Sequence, residues 1–262
     1  VLAGFDHIVI AVNDLDAGAR AYKLLLAREP GSIQHHDGYD AAFFRTANLG
    51  VELMAPRGEC AMARRLRATL ADGEGLKSLV FATEDIERAH RRAERVGLAP
   101  DPIRSAANGA AQVFRLSNTD GVRLFVMQRA EHLSAATDGG VSGVDHIVVR
   151  APRADAALAL YSARLGLSLR LETRVAGRRL MMLRCGDAVL EIAEDNKREL
   201  GALWGVSWRV ADADAERARL AATGLDVSDV RAGVKPGTRV FTVRDGACNV
   251  PTLMIEHSTP QS

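Results

Sequence analysis

Phe5-Asp6-His7-Ile8-Val9-Ile10-Ala11-Val12 decides how this chain reads, because the chain writes it twice. It returns as Val144-Asp145-His146-Ile147-Val148-Val149-Arg150, shifted by 139 residues. The same shift carries Tyr22 onto Tyr161, Leu26 onto Leu165 and Glu52 onto Glu191. One offset shared by a histidine, a tyrosine and a glutamate marks an internal duplication. Each copy places a His on an alternating apolar strand and a Glu on a second apolar run 45 residues later. These two pairs of ligand-type residues are the first place to look for function.

Around the opening strand, Asp6 to Val12, the local signals are clear. Asn13 is a suitable N-cap, and Asp14 and Asp16 fall in a first turn where the helix dipole favours negative charge. Leu15, Ala19, Tyr22 and Leu26 form one helical stripe, which Pro30-Gly31 is expected to stop. Strands are predicted at 32–36, 41–46 and 49–55, giving the order βαβββ. That order repeats from Leu76, with a helix starting at Asp85 and ending near Gly97. It repeats again from Val144, with a helix ending at Gly166, and a fourth time from Val206, with a helix ending at Gly224. A module of this size cannot bury its own sheet face, so the modules must pair. The expected organisation is an α+β protein of two domains, 1–130 and 143–262. They are joined by a linker at 131–142, where periodicity gives way to small and polar residues.

With 262 residues, 47% hydrophobic and 26% charged, the composition is that of an ordinary globular chain, and two domains fit its length. A net charge of +1 gives no reason to expect nucleic acid or an anionic membrane as partner. No apolar run approaches the ~20 residues needed to span a bilayer, and no signal-type segment opens the chain, so the expected location is cytoplasmic. Cys60, Cys185 and Cys248 are scattered without CxxC spacing and read as reduced thiols. No GxSxG and no Walker sequence occurs.

DHIVIAV before a Tyr-bearing helix, DHIVV before YSARLGL, and the Glu strands NLGVELM and DAVLEIA together resemble the vicinal-oxygen-chelate superfamily. That group includes glyoxalases, extradiol dioxygenases and bleomycin-resistance proteins. The resemblance implies that paired modules curl into half-open, glyoxalase-like barrels around a divalent metal (Fe, Mn, Ni or Zn). Residues on the first and last strands of a module would hold the metal, and substrate oxygens would bind it directly. The matching positions are His7, Glu52, His146 and Glu191. Glu52 or Glu191 would double as the catalytic proton shuttle. Modules two and four depart from the pattern, with Ser78 and Phe125 in one and Gly205 or Ser207 and Leu253 in the other.

Three arrangements follow. Modules one and three share a four-ligand site; or each barrel is a metal-free pocket; or the C-terminal barrel recruits a further ligand such as Glu256. A sheet pocket with one His and one Glu falls short of the usual three protein ligands of a catalytic metal. Arg150 shares a strand face with His146, as Arg209 does with Ser207, and both arginines are expected to line a pocket for anionic ligands. Trp204 and Trp208 are candidates for stacking on a ligand ring, against the plainer reading of core aromatics. The Arg-rich run MARRLRATL reads as a solvated helix face. The function expected is isomerase, lyase or dioxygenase chemistry on a small oxygenated substrate; the alternative is a binding or resistance protein. The expected partners are that small molecule and a second copy in a homodimer, with neither nucleic acid nor a membrane.

Overall fold

The computed structural model describes residues 2–106, 109–131, 135 and 140–257. Most of the expected linker, residues 132–134 and 136–139, lies outside these described residues. The first module runs β1 (Gly4–Ala11), α1 (Leu15–Leu26), β2 (Ser32–His36), β3 (Tyr39–Arg45) and β4 (Gly50–Pro56). A helix outside the βαβββ plan, α2 (Ala61–Leu70), comes next. The second module has β5 (Gly75–Ala82), α3 (Ile86–Arg95), β6 (Arg104–Ser105), β7 (Ala111–Leu116) and β8 (Arg123–Arg129). In the third, β9 (Val141–Ala151) leads to α4 (Ala154–Leu158), which continues as a π-helical segment, Ala159–Arg164. β10 (Ser168–Val175), β11 (Arg178–Cys185) and β12 (Ala188–Glu194) complete it. The fourth comprises β13 (Ala202–Val210), α5 (Ala213–Ala222), β14 (Arg231–Ala232), β15 (Thr238–Val243) and β16 (Thr252–His257).

Sixteen strands form two eight-stranded half-barrel sheets, ordered β2-β3-β4-β1-β5-β8-β7-β6 and β10-β11-β12-β9-β13-β16-β15-β14. Two modules therefore join through their first strands in each sheet, and neighbours in sequence share a sheet. The strands keep their period of two. Along β12, Leu190 and Ile192 are fully buried on the helix-covered face, while Val189 and Glu191 on the other face are only partly covered.

Local details correct parts of the reading. The N-cap of α1 is Asp14, whose carboxylate accepts from the Ala17 N–H at 2.9 Å. Asn13 instead gives its backbone N–H to Glu74 Oε1 at 2.7 Å. That helix stops four residues before Pro30, at Leu26, with Ala27 in the left-handed region at φ 53°. The strand after α5 is only the pair Arg231–Ala232, and the segment before it is held by an isolated bridge from Val227 to Val243 and by the Ser228 N–H, which donates to Thr242 O at 2.9 Å. In α2 the arginines are solvated as read, but Ala63, Leu66 and Leu70 form a buried side.

The chain packs as two compact units that each draw on both sequence halves. One gathers Val1–Val9, Lys77–Leu133 and His146–Trp204; the other gathers Ile10–Leu76, Ser134–Asp145 and Gly205–Ser262. In the first, the Gly201 N–H donates to Asp120 O at 2.8 Å and the Arg92 guanidinium to Arg164 O at 3.3 Å. In the second, the Arg219 guanidinium caps the end of α1, donating to Leu24 O at 2.8 Å and Leu25 O at 3.0 Å. Free carbonyls at a helix C-terminus are natural acceptors for such a cation. Arg219 is itself held by the buried Glu216 at 2.6 Å.

Candidate binding site around His146 and Glu191

β9 and β12 run parallel, with His146 opposite Val189 and Val148 opposite Glu191. This register sets the His146 and Glu191 side chains diagonally on one face of the sheet. Their Nε2 and Oε2 atoms are 3.5 Å apart, with 13% and 15% of the side chains exposed. Burial pushes the Glu191 carboxyl above its ordinary range, and the neighbouring His146 offsets part of that rise. Met182 on β11 lies opposite Glu191, and Leu171 on β10 lies opposite Met182. Leu171 is 51% exposed, so the apolar floor beside the dyad reaches solvent at its outer strand.

Strand register also locates the same two positions in the even-numbered modules. In β5 and β8, Ser78 lies opposite Arg123 and Val80 opposite Phe125, so Ser78 and Phe125 stand where His146 and Glu191 do. In β13 and β16, Val206 pairs with Thr252 and Ser207 with Leu253. The equivalents there are Gly205 and Leu253. A Cβ at Gly205 would come 2.7 Å from Pro251 O, so no histidine fits at that position without moving the backbone.

The first module keeps His and Glu but is built differently. Glu52 faces Phe43 across the β3–β4 ladder, and Met54 and Tyr39 share its face. On that face lies α2, whose Leu66 and Leu70 pack with Ala11 and against Tyr39 and Met54. Burial first, and then the charge of Glu52, raise the Tyr39 phenol. His7, only 4% exposed, bonds through Nδ1 to Asp6 Oδ1 at 2.5 Å. Between β12 and β13, by contrast, no helix intervenes. The first module therefore lays a helix over the Glu52 face, and the third has no helix inserted at the corresponding place.

Other expected site residues have structural duties. Glu256 Oε2 accepts from the Ala213 N–H at 2.8 Å and pairs with Arg239 at 3.3 Å, so this carboxylate caps α5. It is one case of a repeated device: three residues after each Glu position, Gln128, Glu194 and Glu256 accept the first N–H of α3, α4 and α5. The third arrangement, with Glu256 as a ligand, is thereby corrected. Arg209 pairs with Asp145 at 3.6 Å, and Ser207 is 2% exposed. Trp208 is fully buried and belongs to the core, whereas Trp204 is 40% exposed and lies beneath the Arg150 guanidinium at 3.9 Å.

The motif also contained a signal that its histidine drew attention away from. Asp6 and Asp145 precede the two histidines, and each is held by the residue four after a Glu position. Arg129 Nε and Nη2 donate to Asp6 at 2.8 and 2.7 Å, and His257 Nε2 lies 2.6 Å from Asp145 Oδ1. An Asp written twice beside the repeated His was visible in the sequence; its partners were not.

Among the described residues, no three His, Cys, Asp or Glu side chains gather as a metal-holding group. The four metal candidates therefore do not stand as a ready ligand set, and His146 with Glu191 supplies two donors where a catalytic divalent ion usually takes three. His146 and Glu191 by themselves do not fit a tightly held metal. None of the helices among the described residues is long and apolar enough to cross a membrane.

Two tandem sheets, each of two βαβββ modules joined through their first strands, define a glyoxalase-like architecture. Residues 5–130, just under half of the chain, match the family model described as a glyoxalase-like domain. A triple mutant of 4-hydroxymandelate synthase from Streptomyces coelicolor has a similar structure. Its TM-score is 0.78 at 13% identity, over 100% of this chain and 94% of that one. A xylose isomerase-like TIM barrel/4-hydroxyphenylpyruvate dioxygenase fusion protein gives 0.73 at 15% identity, over 100% of this chain and 50% of that one. At such identities the likeness establishes fold alone. No curated protein matches the sequence.

Proposed function

We propose that the chain takes a small oxygenated molecule on the sheet face around His146 and Glu191, and that this dyad exchanges a proton with it. The observation that carries the reading is the pair itself. An imidazole and a carboxyl group lie 3.5 Å apart on one sheet face, and burial raises the carboxyl towards the range useful to a general acid or base. Glu191 takes or returns the proton, and His146 holds the carboxylate in place and shares its charge. The reaction class is proton transfer beside a carbonyl, as in an isomerase.

A second reading, a divalent-metal enzyme of lyase or dioxygenase type, rests on a different observation. His7 has a carboxylate on one ring nitrogen, the arrangement that commonly orients a metal-bound imidazole. One of the similar structures also carries the dioxygenase name. The test is wash-out of C–H protons from α-hydroxyketones and 2-oxo acids in D2O, followed by NMR, for protein with and without chelator. Exchange that survives chelation and disappears in Glu191→Gln supports the acid–base reading. Stoichiometric Fe, Mn, Ni or Zn that is lost in His7→Ala supports the metal reading instead.

A further inference from the structure

Arg150 stands four residues after His146 on β9, on the same face by the period of two, and its register partner is Ala193. The next inward position after Glu191 is therefore a methyl group, which leaves the guanidinium uncovered from that side. Its plane is fixed from another direction, because Cζ lies 3.9 Å from the centroid of the Trp204 indole. Among the described residues the carboxylate paired with it is Asp195, 3.8 Å from Nη1 and beyond hydrogen-bond length. Among the described residues Arg150 donates no hydrogen bond, although its side chain is only 26% exposed. A guanidinium carries five N–H donors in a rigid fork, so this one is both oriented and unspent.

Its surroundings favour an anion. Burial is the first cause that lowers the Arg150 pKa; Asp195 opposes it, and the charges of Arg178 and Arg198 add to it. Three guanidinium groups thus share one neighbourhood with a single carboxylate. Arg209, the other arginine expected to grip an anion, is already paired with Asp145.

We infer that Arg150, held against Trp204, forms a carboxylate subsite at one end of the His146–Glu191 face, and that the ligand is an elongated carboxylate. The fork takes the carboxylate through two parallel N–H bonds, while Trp204, one residue from Gly205 and in step with the core Trp208, orients the guanidinium rather than the ligand. Four strand residues separate the subsite from the dyad, about 13 Å between Cα atoms at ~3.3 Å per residue. Allowing for side-chain reach, the acid group and the reacting end of the ligand lie on the order of 10 Å apart. This inference rests on the proposed role of the His146–Glu191 face and adds the ligand class.

Isothermal titration of the full chain with benzoate, 4-phenylbutanoate and 6-phenylhexanoate, each beside its primary amide, tests it. The longer acids should bind about tenfold more tightly than their amides, as expected for one lost charge-assisted fork. Arg150→Gln should erase that difference, and Arg150→Lys should restore only part of it. Trp204→Leu, which frees the guanidinium, should narrow the acid–amide gap. Melting temperatures confirm that each variant is folded. Wild-type protein that binds neither acids nor amides, or an acid–amide gap that survives Arg150→Gln, overturns the subsite. If the gap depends on Arg150 but no probe responds to His146→Ala, the subsite stands and the role given to the dyad fails.

Discussion

Arg129→Met should cost the protein about 3 kcal/mol at neutral pH, at the low end of the range for breaking a buried ion pair. Asp6 is 7% exposed, and Arg129 supplies two of its N–H bonds, at 2.7 and 2.8 Å, beside His7 at 2.5 Å. Burial alone would raise the Asp6 carboxyl; the hydrogen bonds and charges of His7 and Arg129 overcome it and hold the group at about 2 instead of 3.8. At ~1.4 kcal/mol per pKa unit this corresponds to roughly 2.5 kcal/mol of stability. The low end of the range applies because Arg129 retains 22% exposure and is partly hydrated before the carboxylate is orphaned. In a chain of this size 3 kcal/mol lowers Tm by roughly 6–12 °C. The sign in pH follows from a depressed native pKa: the contribution is complete above about pH 4 and is lost as pH falls through about 2. The gap between variant and wild type should therefore close in acid. Asp6→Asn combined with Arg129→Met should recover part of the loss, because neither orphan charge remains. Calorimetric scans from pH 7 to pH 2.5 on the two single variants and the double decide the matter. A loss below about 1 kcal/mol, or a pH-independent and additive deficit, would refute the reasoning.

Glu191 should behave in the opposite sense. Its carboxyl is raised by burial against the partial offset of His146, so the ionised group costs stability as pH rises past the ordinary value of 4.5. Glu191→Gln should melt with wild type near pH 4 and above it near pH 8; superimposable curves at both pH values would contradict this. Gly205→Ala places a Cβ 2.7 Å from Pro251 O and should destabilise by about 1–3 kcal/mol in urea titrations, the usual cost of forcing atoms into a filled site. An unchanged midpoint would show that β13 and β16 separate more easily than their close approach indicates.

The fold was legible because its signals are local and repeated. The period of two on eight principal strands, the Asp before α3, and the glycines after three helices each specify their element without help from distant residues. The candidate site was legible only as positions. His7, Glu52, His146 and Glu191 stand out by one offset, but the offset says nothing about what lies above each sheet face. That was decided by Leu66 and Leu70, which face Tyr39 and Met54 from a helix whose arginines suggested only solvent. Glu256 was misread for a related reason. Acidic side chains near a strand end look like ligands in sequence, and only the fold shows that Gln128, Glu194 and Glu256 all reach a helix N-terminus.

The duplicated Asp-His motif shows how two copies of one scaffold come to differ in chemistry. In the first copy, Asp6 is clamped by a bidentate guanidinium and His7 is 4% exposed beside it, a construction that favours rigidity. In the second, Asp145 has His257 in the place of Arg129, and Arg209 stands off at 3.6 Å. The following histidine, His146, is more exposed and turned to a carboxyl group that burial keeps easy to protonate. A permanent cation fixes a carboxylate more firmly than an imidazole does, because Arg keeps its charge at every pH the fold survives, whereas a His has an ordinary pKa of about 6.5. Neither clamp touches ligand directly in this reading. They set how much freedom the adjoining histidine has, and the freer histidine is the one that faces a partly apolar floor. A further observation on that face, an oriented Arg150 with no hydrogen bond of its own, belongs to the same copy. A close imidazole–carboxyl pair and an oriented cation are independent properties, and their coincidence on β9 and β12 is the physical reason to place function there.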